Sequence, residues 1–194
     1  MKLLAWVDKN EVPPESKYPK LADGSLIEID QLAMPQIPGL QKPTTIHVAY
    51  KADYGPDWEK GIINIQPPRI KYAFQSRAAQ VDKLGNEKVG IQNVEIRVPL
   101  ATYTPWNIRK GYKGGGYEFI NFRGTYLPLP KTEAEKAERN DPRPSIESLF
   151  KSKEDFLKKV EAAARNLVAE GFILEVDIER VKRRNEAFWD WLMK

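Results

Sequence analysis

Apolar positions recur at helical spacing only in the last quarter of the chain. Phe156, Leu157, Val160, Ala164, Leu167 and Val168 form one stripe with the 3.6-residue period of an amphipathic helix. Ser152, with Asp155 three residues on, gives a capping-box-like start. Gly171 stands where that helix needs a left-handed residue to end. Ser145 is placed as N-cap of a shorter helix over Ile146–Phe150. A last helix is predicted from about Val176 to Met193, with Ile178, Val181, Phe188, Trp189 and Leu192 on its buried side.

Upstream the period changes. Val94, Ile96 and Val98 alternate with Asn93, Glu95 and Arg97, the pattern of a half-buried strand. Tyr72–Val81 and Val89–Val98 flank Asp82–Glu87, so the segment reads as a hairpin, with Gly85-Asn86 tolerating positive φ in the turn. Ile62–Ile65 reads as a short strand ended by Pro67-Pro68. Leu3–Val7 reads as the end of a helix stopped by Pro13-Pro14, and a helical turn is expected near Asp30–Ala33.

Proline and glycine sharpen this division. All 15 Pro lie between Pro13 and Pro144, and of the 12 Gly only Gly171 follows residue 124. Proline removes a backbone donor and breaks helix interiors. The expected fold is therefore α+β: an extended Pro-rich arm packing on a body (1–60), a small antiparallel β-hairpin sheet (61–130), and a C-terminal bundle of about three helices (131–194), one domain overall.

Composition narrows the chemistry. The 194 residues include 41% hydrophobic and 30% charged positions, with five Trp, eight Tyr and seven Phe, which fits a soluble globular domain. There is no Cys, which excludes disulfides, thiolate metal sites and a cysteine nucleophile. No apolar run approaches a membrane span, and Met1–Asp8 reaches an acid too soon for a signal-peptide core. The net charge of +4 is carried by residues 1–130, and residues 131–194 balance. The densest basic cluster, Lys182-Arg183-Arg184, is flanked by Glu179 and Glu186 and reads as a solvated helix face. Neither nucleic acid nor membrane is expected as a partner.

Catalytic patterns are sparse. The single histidine, His47, sits in a strand-like stretch, where a structural role is the alternative to a general base. No G-x-S-x-G turn occurs; Asp23-Gly24-Ser25-Leu26 reads as a turn. Gly114-Gly115-Gly116 lacks the context of a phosphate-binding loop. Asp53, Asp57 and Glu59 lack calcium-loop spacing. No catalytic residue, metal or cofactor is assigned. The densest functional grouping is Thr102, Thr104, Trp106, Asn107 and Arg109, just after a strand end. Trp106, Asn107 and Arg109 offer a flat apolar face, an amide and a cation within one turn, suited to lining a pocket. The alternative is that Trp106 anchors the loop and Asn107 caps a turn.

The stretch Val98-Pro-Leu-Ala-Thr-Tyr-Thr-Pro-Trp-Asn-Ile-Arg109 also resembles the V-P-L-A-T-Y-T-G-W-N-x-R segment of a bacterial group of alpha/beta hydrolase domain proteins. The resemblance continues upstream in Tyr18–Leu26 and Tyr54-Gly55-Pro56. Downstream it continues in Asp141-Pro-Arg-Pro-Ser145, Leu167–Leu174 and Trp189-Asp-Trp-Leu192. Pro105 departs from it, standing where the group has Gly. The resemblance covers the C-terminal part of that family, whose nucleophile, acid and histidine lie in an N-terminal region. It therefore transfers no catalytic residue. It implies a non-catalytic C-terminal domain of a serine esterase-like protein, covering the hydrolase core, in cis or in trans, and shaping its pocket through the Thr102–Arg109 loop. The chain alone is then expected to be inactive. Two other readings stay open: an independent hydrolase using His47, Arg109 or carboxylates, and a partner- or nucleic-acid-binding module.

Overall fold

The computed structural model describes residues 2–43, 48–110, 118–120 and 122–194. His47 and the Gly114-Gly115-Gly116 run lie outside the described residues. The chain mixes helices with small antiparallel sheets, as the sequence predicts, but the strands and their partners differ from the expected hairpin. Strand β1 (Leu26–Glu28) and a far strand pair as one ribbon, and β2 (Tyr50–Asp53) pairs with β3 (Arg69–Ala73) as a second. The far partner of β1 is β4 (Arg77–Ala79). Tyr72–Val81 is thus divided between two ribbons. Across the Asp82–Glu87 turn, ladder pairing is reduced to the single bridge Val81–Glu87.

The expected second arm of the hairpin is helical. Helix α2 (Val94–Arg97) begins where the Asn93 side chain accepts from Ile96 N at 3.2 Å. Pro99, just past its end, prevents continuation. Val94 and Val98 are both buried, and a spacing of four satisfies a helix as well as a strand. The Asn cap settles the competition. The turn also differs in mechanism. Gly85 alone takes positive φ (+82°). Asn86 is fully buried and uses its amide as an extra ladder rung: Nδ2 donates to Ala101 O at 3.0 Å, and Oδ1 accepts from Tyr103 N at 2.8 Å.

Ile62–Ile65 is likewise not a strand among the described pairings. Asn64 N and Ile65 N donate to Tyr54 O, closing a loop around the short helical turn Trp58–Lys60, and Ile62 and Ile63 stay half exposed. The helical turn expected near Asp30 is present at Ile29–Gln31. Helix α1 (Lys2–Lys9) contains the predicted Leu3–Val7. It ends before Asn10, which takes positive φ, rather than at the prolines.

A third ribbon pairs β5 (Ala101–Thr104) with β6 (Thr125–Pro128) and leads into the helical region. Helix α3 (Glu133–Arg139) has no apolar stripe, so its pattern did not announce it. Caps hold it: Thr132 Oγ1 accepts from Glu135 N, and Asn140 closes it at φ +51°. Helices α4 (Ile146–Leu149), α5 (Lys153–Ala169) and α6 (Ile178–Met193) follow, with Ser145 and Ser152 as the predicted N-caps and Gly171 at φ +83°. The core lies here. Phe156, Val160, Ala164 and Leu167 of α5 pack against Trp189 and Leu192 of α6 and against Leu100, Leu129 and Ile146. Phe156 stacks on Trp189 at 5.0 Å, and Phe150 meets Phe156 edge-on at 5.1 Å.

Candidate functional site

The β5–β6 ribbon fixes the candidate loop. Its register sets Thr102 opposite Leu127, Tyr103 opposite Tyr126 and Thr104 opposite Thr125. Residues two apart in a strand share a face, so Thr102 and Thr104, both buried, lie on one side of β5, and Trp106, Asn107 and Arg109 follow beyond the strand end. Thr102 is fully buried. Its hydroxyl donates to Leu84 O and accepts from Arg143 Nη1. Thr104 Oγ1 donates to Trp106 O at 2.8 Å, and Thr125 Oγ1 donates to the same carbonyl at 2.7 Å. These two hydroxyls clamp the turn that presents the indole.

Trp106 Nε1 donates to Gln41 O at 3.1 Å, which turns the ring between two concavities. One, of about 270 Å³, is walled by Leu32, Met34, Val81, Tyr103, Pro105 and Trp106, with Arg77 and Glu87 among its polar lining. The other, of about 290 Å³, has Gln41, Trp106, Asn107, Lys110 and Thr125 around it. Asn107 O accepts from Ile120 N, and Arg109 N donates to Glu118 O, so the loop continues as a ladder onto 118–120. Trp106 and Asn107 therefore line concave surface, Thr102 lies in the interior, and Thr104 and Arg109 lie along the backbone that supports the loop.

The apolar concavity is suited to holding an acyl or aryl group. No serine, threonine or histidine belongs to its described lining, and Glu87 is the carboxylate there. Arg77 pairs with Glu28 at 3.0 Å. Burial pushes the Tyr103 phenol up to about 12, with Glu95 adding to the effect, so it stays protonated at neutral pH. Burial raises Tyr126 further in the same direction. Among the described residues no group of three or more His, Cys, Asp or Glu converges on a possible metal position.

Sequence reasoning missed a buried ionic buckle behind the loop. Arg143 and Asp141 are each 3% exposed and pair at 2.6 Å. Burial opposes the charge on Asp141, but the Arg143 hydrogen bonds and charge prevail and hold its carboxyl below the ordinary range. The Arg143 guanidinium also donates to Thr102 Oγ1, Leu127 O and Pro128 O, each at 2.9 Å. It thus ties the ribbon that carries the loop to the start of α4. The signal was present in Asp141-Pro-Arg-Pro: two prolines stiffen the backbone around one ion pair.

Comparison with known families then decides the assignment. The family described as Alpha/beta hydrolase domain matches residues 1–183. The chain belongs to the alpha/beta hydrolase domain family. Searches of curated proteins and of solved structures gave no match. Within this alpha/beta hydrolase domain chain, every ribbon formed by the described strands is antiparallel and two-stranded. No described helix is long and apolar enough to cross a membrane.

Proposed function

We propose that this chain is a non-catalytic part of a serine esterase-like alpha/beta-hydrolase protein. It covers the hydrolase core, supplied in cis or in trans, and shapes its pocket with the Thr102–Arg109 loop. One observation carries the reading: the family match spans residues 1–183, yet the sequence holds no G-x-S-x-G turn and a single histidine. Acyl transfer by this chemistry needs an activated hydroxyl beside a positioned base. Trp106 offers such a core an indole wall beside an apolar concavity. Leu3, Leu4, Val7, Tyr50, Ile70 and Tyr72 are half exposed or more and supply apolar surface for contact with a larger body.

The test is hydrolysis by the purified chain of p-nitrophenyl acetate and butyrate, in parallel with labelling by a serine-directed fluorophosphonate. The expected result is no turnover above buffer and no label. Turnover that the fluorophosphonate abolishes overturns the reading. An antibody raised against the α6 segment sharpens it on a denaturing blot of source extract. A band near 22.3 kDa directs the search to a separate core subunit, and a much larger one to a core in the same chain.

A further inference from the structure

A third cavity also has Tyr103 in its wall. It holds about 400 Å³ between α2, the β5–β6 ribbon and α6. Its walls are aromatic. Tyr103 and Tyr126 lie 5.5 Å apart, and Tyr126 meets Phe188 edge-on at 5.2 Å. Trp191 stacks behind Phe188 at 5.7 Å.

The charged groups of this cavity's lining are the Glu95 carboxylate and the Arg184 guanidinium. The Tyr126 hydroxyl is buried and has no hydrogen-bond partner among the described residues. The Asn185 side-chain nitrogen donates to Val181 O at 2.9 Å, which fixes the amide orientation and leaves its Oδ1 as an acceptor. The Glu95 side chain is only 15% exposed. Its ion pair is a long one, 3.4 Å to Arg184, whose side chain is 76% exposed and stands at the mouth. Buried polar groups in folded proteins normally find partners. Here three aromatic rings and a mostly buried carboxylate border an open volume.

We propose that this cavity is a binding site for a small organic cation, a protonated amine with an apolar body. Aromatic faces attract cations, more strongly when desolvated. The Glu95 carboxylate supplies the counter-charge and accepts from the ammonium N–H groups. The ligand takes over the role that Arg184 plays from outside. An anion is disfavoured, because it brings a second negative charge beside Glu95. The site is separate from the Trp106 concavities and does not rest on the proposed hydrolase role.

The test is calorimetric titration of the full chain with three probes of one shape: benzylammonium, benzyl alcohol and benzoate. Benzylammonium is expected to bind saturably, benzyl alcohol about tenfold more weakly, and benzoate weakest of the three. Glu95→Gln, nearly isosteric, is expected to remove the preference for the cation. Arg184→Ala alters an exposed residue and spares the core. It is expected to strengthen benzylammonium binding about threefold, because the competing charge leaves the mouth. A merely structural Arg184 gives no such gain. Equal affinity for the three probes overturns the proposal. So does failure of benzylammonium to bind both the wild-type chain and Arg184→Ala, and so does a cation preference that survives Glu95→Gln in a folded variant.

Discussion

The helix pair α5–α6 and the ribbon β2–β3 both carry large apolar side chains, and only the pair hides them. Phe156, Val160 and Trp189 are buried between two helices whose stripes face each other. In the ribbon, Tyr50, Ile70 and Tyr72 are all more than half exposed, and every residue of β3 is solvent-accessible. A two-stranded ribbon has two faces and no third layer to cover either. A helix needs a single neighbour along one stripe. The difference shows where stability is generated in this chain, and where apolar surface stays exposed.

The largest expected effect tests that contrast directly. Phe156→Ala empties a site that is fully buried between Trp189 and Phe150. It is expected to cost about 3–5 kcal/mol in urea unfolding. Ile70→Ala in the ribbon is expected to stay within about 0.5 kcal/mol. Equal losses from the two substitutions break the comparison.

The buckle at Arg143 links the two architectures, so its loss is of similar size. Arg143→Ala leaves the Asp141 carboxylate buried at 3% exposure with its partner gone. A cost of about 3–5 kcal/mol is expected. The double variant Arg143→Met with Asp141→Leu is expected to recover much of that, since a buried pair replaced by apolar groups is often near neutral. Urea midpoints of the single and double variants measure both. The loop should follow the buckle: in Arg143→Ala, Trp106 fluorescence is expected to shift before the global transition.

A smaller effect is expected at the caps. Ser152 Oγ accepts from Asp155 N at the start of α5. Ser152→Ala is expected to lower stability by about 1 kcal/mol, read from the same denaturant midpoint. The core substitution removes a stripe contact and the cap substitution removes a single helix-end bond. A cap loss as large as the core loss would mean that α5 is held by its ends.

These elements were legible in the sequence to very different degrees, for physical reasons. Helices α5 and α6 each carry a 3.6-period stripe, and α5 adds its Ser152 cap and Gly171. Helix α2 was not legible, because Val94 and Val98 satisfy two periods at once and only the Asn93 cap breaks the tie. Helix α3 had no stripe to read. The β5–β6 ribbon hides behind small and polar residues, Ala101, Thr102 and Thr104, whose burial depends on a partner far along the chain. Trp106 and Asn107 stood out by residue type. Tyr126 did not, since its position opposite Tyr103 exists only once the two strands pair. Local signals specify helix ends and faces; cross-strand neighbours come from closure of the long loop.

The smallest expected effect concerns the contact between the N-terminal segment and the helical region. Glu170, at the end of α5, accepts from Arg97 at 2.6 and 2.8 Å and from Lys17 at 2.7 Å. The Arg97 hydrogen bonds, then that of Lys17, hold its carboxyl down to about 2 from an ordinary 4.5. A carboxylate with a depressed folded pKa contributes stability above its unfolded value and loses it as the proton returns. The contribution is therefore full above 4.5 and fades as pH falls toward 2. Because the pair is partly solvated, its magnitude is small. Wild type is expected to melt slightly above Glu170→Gln at about pH 6, with the gap closing as pH approaches about 2. Lys17 also lies 5.0 Å over the Phe172 ring, a contact that Glu170→Gln leaves in place. Lys17→Met is therefore expected to narrow the gap without reproducing it in full, because Arg97 still engages the same carboxylate. A gap that does not change with pH would locate the effect in packing at the end of α5 instead of in charge.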